Sequence, residues 1–340
     1  MLRFPSRLGA TILVAAIHLA QSLAAYAQGP GAAPDCARAK SAAERAICTT
    51  PELAAADAAM AKAYSELRAD LPLDQKSALL DDQRRWIGTR DALCSDQKEG
   101  QLINCLLKET GQRRQLLAGE GPNGAVGAPR LEPAFFHEAR NGRYEINVVY
   151  PRIAKPGSAA EKAFNNRVHT LVLGKAPLGE VRESENVPGS PMVSSYDATY
   201  DVTYLGRNLA AVVFSISTYG AGAAHPVSGR ESLVFDFAHG RQLQLADIVE
   251  SPKQAVAAVS QRCKEQLEAQ AAKDDWQLFD NADFAATVGE MRYWAPDETG
   301  VDILFDPYSV AAYAFGQHQC RLSWADLSPS LKANGPLPPR

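Results

Sequence analysis

The chain has 340 residues, 46% of them hydrophobic, a net charge of −4 and six cysteines. That balance suits one oversized or two ordinary globular domains. With no basic run or stripe it argues against nucleic acid as a partner.

The chain opens with Arg3 and Arg7, an apolar run from Leu8 to Ala20, and the small-residue end Ala25-Tyr26-Ala27. This is the charged, apolar and A-x-A order of a secretory signal peptide, so residues 1–27 are expected to be cleaved after Ala27. The apolar run is short for a membrane span, which needs about 20 residues. Cys36 lacks the residues that precede a lipidation site, so no stable membrane anchor is expected. All six cysteines lie beyond Ala27. An even number in an exported chain reads as disulfides, and the expected location is periplasmic or secreted. The spacings do not form the C-x2-C pairs of a zinc site, and no metal or cofactor is expected.

Residues 28–34 form a lead-in to a helical region at 35–117. Thr50-Pro51 starts a helix. Leu53, Asp57, Met60, Tyr64 and Leu67 then recur on one face. Leu71-Pro72-Leu73-Asp74 turns the chain, a second helix carries Leu79, Trp86 and Leu93 seven apart, and a third runs from about Gln101 to Leu117. Residues at equal height in an antiparallel hairpin have equal index sums, which favours nested bridges, Cys48–Cys94 and Cys36–Cys105. The local pairing, Cys36–Cys48 with Cys94–Cys105, is the alternative, because sequence does not settle connectivity. Gln83, Trp86, Arg90 and Cys94 share a helix face. Asp57 and Arg90 are therefore expected to pair inside the hairpin, a structural role suited to buried charge.

Residues 118–133, rich in Gly and Pro, read as a linker. From 134 to 330 the pattern changes. Tyr144, Ile146, Val148 and Tyr150 alternate as in a strand. Ser158-x-x-Glu161 opens a helix with Phe164, Val168, Leu171 and Val172 inside. Hairpins are expected at 195–205 with 209–219 and at 230–237 with 241–245. A helix follows Ser251-Pro252, and strands near 300–306 and 317–323 close the domain. Cys263 and Cys320 then pair, stapling helix to strand. The tail from Ala333, with three prolines, is expected to fray. The fold class is α+β: a small disulfide-stapled all-α hairpin domain, then an α+β domain with an antiparallel sheet.

The first region's motifs are Cys36, Glu44-Arg45-Ala46-Ile47-Cys48, Pro51-Glu52-Leu53, Asp57, Tyr64, Gln83-Arg84-Arg85-Trp86, Arg90-Asp91 and Cys94. Over residues 35–117 this set resembles the LprI-type lysozyme inhibitors of exported bacterial proteins, which implies lysozyme binding. The second region carries Tyr219-Gly220-Ala221-Gly222-Ala223-Ala224-His225-Pro226, Phe235-Asp236-Phe237, Gly240-Arg241-Gln242-Leu243 and Leu304-Phe305-Asp306-Pro307-Tyr308-Ser309-Val310. It is similar to the extracytoplasmic part of RsiV-type anti-sigma factors, which senses lysozyme by binding it. Ala223 and Ala224 stand where that family has a Gly-Gly-Ala-His loop. No segment matches the sigma-binding part, so an anti-sigma role does not carry over.

No H-E-x-x-H, G-x-S-x-G or phosphate-loop motif occurs, and an enzyme is not expected. The expected contacts to a muramidase are Tyr219, Gly220, Gly222, His225, Trp294 and Tyr308: a glycine-rich loop with its histidine as plug, flanked by aromatic rings. The bland readings are a local hydrogen bond for His225 and core packing for each aromatic. A peptidoglycan- or glycan-binding envelope module using the same aromatics is the alternative.

Overall fold

The computed structural model describes residues 36–95, 97–120, 127–184, 187 and 192–337. The expected signal peptide and its cleavage at Ala27, the lead-in at 28–34 and the middle of the expected linker lie outside them. The chain forms two compact units. The first takes residues up to Asp70 together with Gln83–Arg114, and the second takes Leu71–Asp82 and everything from Gln115 onward.

The first unit is helical. Helix α1 (Ala42–Thr49) opens on a capping box: Ser41 Oγ accepts from Glu44 N at 3.0 Å, and Glu44 Oε2 accepts from Ser41 N at 2.8 Å. Thr50 is extended and ends α1, and the chain restarts at Pro51 as α2 (Pro51–Asp70). Helices α3 (Leu73–Ser95) and α4 (Glu99–Ala118) follow. Leu53, Asp57, Met60 and Tyr64 line the buried face of α2. The inward positions of α3 in this unit are Gln83, Arg90 and Cys94. Leu93 is exposed, because a strict seven-residue step drifts around a 3.6-residue helix and Cys94 takes the inward place.

The bridges are Cys36–Cys48 and Cys94–Cys105, not the nested pairs. Equal heights require residues 36–70 to form one helical arm, but the break at Thr50 makes α1 a separate element. Each bridge instead closes over its own local turn. The hairpin geometry still places Ile47, Leu53, Cys94, Leu102 and Leu106 in one apolar cluster. Beneath it Arg113 Nε donates to Gln83 Oε1 (2.9 Å), and Gln83 Nε2 donates to Met60 Sδ (3.2 Å).

The second unit is built on a six-stranded sheet in sequence order: β1 (Glu132–Arg140), β2 (Tyr144–Arg152), β3 (Ser194–Leu205), β4 (Leu209–Tyr219), β5 (Val227–Asp236) and β6 (Arg241–Gln242). All neighbours are antiparallel except β2 and β3, which run parallel. A parallel pair needs a crossover. Here α5 (Ala159–Leu173) and α6 (Lys175–Arg182) lie between the two strands in sequence. The Ser158/Glu161 capping box starts α5, whose buried residues Phe164, Val168, Leu171 and Val172 are those the periodicity indicates. Strand β6 is only two residues long, because Gln244 already caps the short helix α7 (Leu245–Ile248) and diverts the chain from the expected strand at 241–245.

Helix α8 (Pro252–Asp274) and the short α9 (Phe284–Val288) pack with a second antiparallel sheet, β7 (Trp294–Pro296), β8 (Gly300–Phe305) and β9 (His318–Ser323), around one core. Cys263–Cys320 ties α8 to β9 inside that core, as expected. After the short helix α10 (Trp324–Leu327) the chain stays packed through Leu337, whose side chain is buried, so the described part of the tail does not fray. An apolar side chain seated in a core outweighs the disorder that three prolines suggest.

Candidate partner-binding site

Two loops of the second unit meet at one surface. The first, residues 220–226, joins β4 to β5. Ala223 N donates to Gly220 O at 2.9 Å, and Gly222 sits at φ +84°. This is the geometry of a type II turn, which requires a positive φ at its third residue. Only Gly222 uses the freedom that both glycines have, since Gly220 is not left-handed. The loop is braced from two sides. Ala221 N donates to Ser194 Oγ (3.0 Å), and Tyr219 Oη donates to Ala223 O (3.2 Å). Tyr219 is therefore buried and supports the loop from below.

The second loop follows β8. Asp306 fastens it to β5, its Oδ1 accepting from Arg230 N at 2.9 Å. The Asp306 carbonyl accepts from Ser309 N (3.1 Å) and Ser309 Oγ (2.6 Å), closing a turn with Pro307 and Tyr308 at its centre. Tyr308 stands at φ +67°, in the left-handed region, and is 57% exposed. For a non-glycine residue that conformation costs about 1–2 kcal/mol.

The loops join through their rings. His225 stacks on Tyr313 with centroids 3.9 Å apart, Tyr308 lies 5.4 Å from Tyr313, and His225 lies 6.3 Å from Tyr308. The Pro226 carbonyl accepts from Tyr313 Oη (2.8 Å) and lies 2.9 Å from His225 Nδ1, which must carry the proton for that contact. So the local backbone bond expected as the alternative for His225 is present, and the half-buried ring has one face against Tyr313. Val227, 73% exposed, and Phe315 add apolar surface. Beyond them Trp276 lies 6.0 Å from Phe315 and stacks on His318 at 4.3 Å. Burial and the nearby Arg230 guanidinium hold the His318 imidazole below its ordinary pKa.

The structure thus brings His225 and Tyr308 together, with Gly222 shaping the loop and Tyr219 beneath it. Tyr313 links the two and was not singled out from sequence. Its signal was the repeat of a tyrosine five residues after Tyr308. Trp294 is elsewhere: it is fully buried in β7, and its indole Nε1 donates to Val288 O at 2.9 Å. An apolar ring with its one polar atom satisfied is a core residue, so Trp294 offers no contact surface.

His239 does not join this site. Its Nδ1 meets Asp236 Oδ2 at 2.6 Å, while Asp236 Oδ1 accepts from Ala238 N (2.8 Å), a self-contained turn. Among the described residues no group of three His, Cys, Asp or Glu side chains gathers as metal ligands.

In the first unit the motif residues form a buried polar layer. Arg90 Nη2 lies 2.8 Å from Asp91 Oδ1, and Arg90 Nη1 lies 3.6 Å from Asp57 Oδ1. The guanidinium groups of Arg90 and Arg113 stand 4.9 and 5.4 Å from the centre of the Trp86 ring. Burial raises the Asp57 pKa, opposed by Arg90. Burial also raises that of Tyr64, against the pull of Arg68. Asp57, Tyr64 and Arg90 are buried here, and Asp57 on α2 lies against Arg90 on α3.

Residues 35–117 match the model of the lysozyme inhibitor LprI family, and residues 246–325 match that of a protein family of unknown function, DUF3298. The chain carries an LprI-type region followed by a DUF3298-type region. Similar solved structures include a DUF3298 family member from Bacteroides fragilis, at 16% identity and TM-score 0.47, covering 60% of this chain and 94% of its own. A DUF3298 family protein from Pseudomonas aeruginosa PAO1 has 16% identity and TM-score 0.45, covering 62% of this chain and 97% of its own. No curated protein matches the chain. The LprI-type region holds two of the three disulfides, and the DUF3298-type match spans Cys263–Cys320 and the Tyr308 loop. Three disulfides and the LprI match fit an exported protein, and no described helix is long and apolar enough to cross a membrane.

Proposed function

We propose that this protein binds lysozyme-type muramidases outside the cytoplasm and blocks them. The observation that carries the reading is the LprI match of residues 35–117. The net charge of −4 supports it, since a cationic muramidase is drawn to an acidic partner. In the second unit the His225–Tyr313–Tyr308 surface is the contact we assign. Its support is the strained Tyr308, because a residue held in a costly conformation points to a use for its side chain. Aromatic anchors of this kind dominate interface energies.

The test is a cell-wall lysis assay with c-type lysozyme and the purified protein. Stoichiometric loss of lysis is the expected result. A protein that forms no complex with lysozyme at micromolar concentration refutes the proposal. A second reading, a glycan-binding module, is favoured by the exposed Tyr308 ring beside the half-buried His225–Tyr313 stack, since aromatic rings suit sugar faces as well as protein. Sedimentation with insoluble peptidoglycan, with lysozyme unaffected, selects that reading. Release of soluble wall fragments by the protein alone identifies a hydrolase.

A further inference from the structure

The second unit holds a cleft that the aromatic surface does not use. Its volume is about 880 Å3, within the range of small-molecule sites. Elements from across the unit line it. Glu231 comes from β5, Arg167 from α5, Leu245 from α7, Lys253 from the first turn of α8, and Met291 and Arg292 from the turn before β7.

The polar groups in the cleft are set unevenly. Arg167 is aimed by Gln242, whose Oε1 accepts from Arg167 Nε at 2.7 Å. Its terminal nitrogens make no hydrogen bond among the described residues. Arg292 is held in place by Glu290 at 3.2 Å and by the Tyr293 ring at 4.7 Å. Glu231 is half-buried and has no hydrogen bond or ion pair among the described residues. Its nearest cations, Arg292 and Arg167, act on it only at longer range, and burial raises its pKa. A half-buried carboxyl without a partner is costly to keep unless something supplies one.

The lining chooses among ligands. A simple anion would meet Arg167, Lys253 and Arg292 but would be repelled by Glu231 and by Glu290, which already partners Arg292. A polyamine would meet the two carboxylates but face three cations. A ligand with both signs satisfies all of them, and the apolar walls at Leu245 and Met291 suit a small aliphatic group between its charged ends. We propose that this cleft binds a short peptide with free termini, its carboxylate received by Arg167 and Arg292 and its ammonium by Glu231. This inference is independent of muramidase binding.

The experiment is calorimetric titration of the full-length purified protein with trialanine, and with its N-acetylated and C-amidated forms. The free tripeptide is expected to bind, and each cap to weaken binding roughly tenfold or more, as losing a charged hydrogen-bond partner does. Glu231→Gln should remove the distinction between the free and acetylated peptides while keeping that against the amide. Arg167→Gln should do the reverse. The capped peptides test the unaltered protein, so the result does not depend on any variant folding. Failure of trialanine to bind at about 10 mM, or equal binding of all three forms, overturns the proposal.

Discussion

Tyr308 offers a comparison in which backbone strain alone sets the sign. Replacing it with alanine or glycine deletes the same ring contacts to Tyr313 and His225. Alanine keeps a Cβ at φ +67° and so retains the strain of about 1–2 kcal/mol. Glycine escapes that strain but loses about 0.5–1 kcal/mol more chain entropy on folding. Tyr308→Gly should therefore be more stable than Tyr308→Ala by roughly 0.5–1 kcal/mol, the reverse of the order at an ordinary position. Urea unfolding followed by tryptophan emission reads this directly, because Trp276, Trp294 and Trp324 all lie in the second unit. The midpoints should differ by a few tenths molar, with equal slopes. An alanine variant as stable as the glycine one refutes the argument that Tyr308 is strained. Neither variant should bind lysozyme as the parent does, which separates the ring's contribution to binding from its effect on stability.

Opening Cys263–Cys320 by the double alanine variant removes closure of a 57-residue separation, worth about 4 kcal/mol, against about 3 kcal/mol for the 12-residue Cys36–Cys48. Thermal unfolding of the two double variants should rank in that order. Asp57→Ala leaves the buried Arg90 with only Asp91 and should cost about 3 kcal/mol or more, seen as early loss of helical circular dichroism. Asp247 is held at about 2, below its ordinary 3.8, chiefly by Arg241 and also by Gln244 N. A lowered carboxyl stabilises the fold above its unfolded value, so this contribution should fade as the pH drops from about 4 through about 2. Asp247→Asn should remove that part of the acid dependence of unfolding.

Much of the fold was legible because it rests on local rules. Ser158 and Glu161 announce a helix start, and Tyr144, Ile146 and Val148 are buried at every second position of β2, although Asn147 and Val149 on its other side are buried too. The parallel pairing of β2 with β3 was not legible, since alternation does not carry strand direction. The disulfides show the same boundary. Cys263–Cys320 followed by elimination, but the first four depended on whether Thr50 continues a helix or breaks it, and Thr50 is extended. At the site, His225 and Tyr308 came from loop composition. Trp294 misled because a tryptophan reads alike whether it faces solvent or donates to Val288 O. Tyr313 matters through a stack on His225 that spans 88 residues of sequence, beyond the reach of any local pattern.

The observed bridges pair the first cysteine with the second, the third with the fourth and the fifth with the sixth. A chain delivered N-terminus first into an oxidising compartment therefore meets its cysteines in bonding order. Each thiol's proper partner is the next to arrive, and a bond made at first opportunity is already the native one. Nested pairs would have left Cys36 and Cys48 adjacent and waiting while the rest of the hairpin emerged. Consecutive pairing makes the timing of emergence itself a guide to correct oxidation.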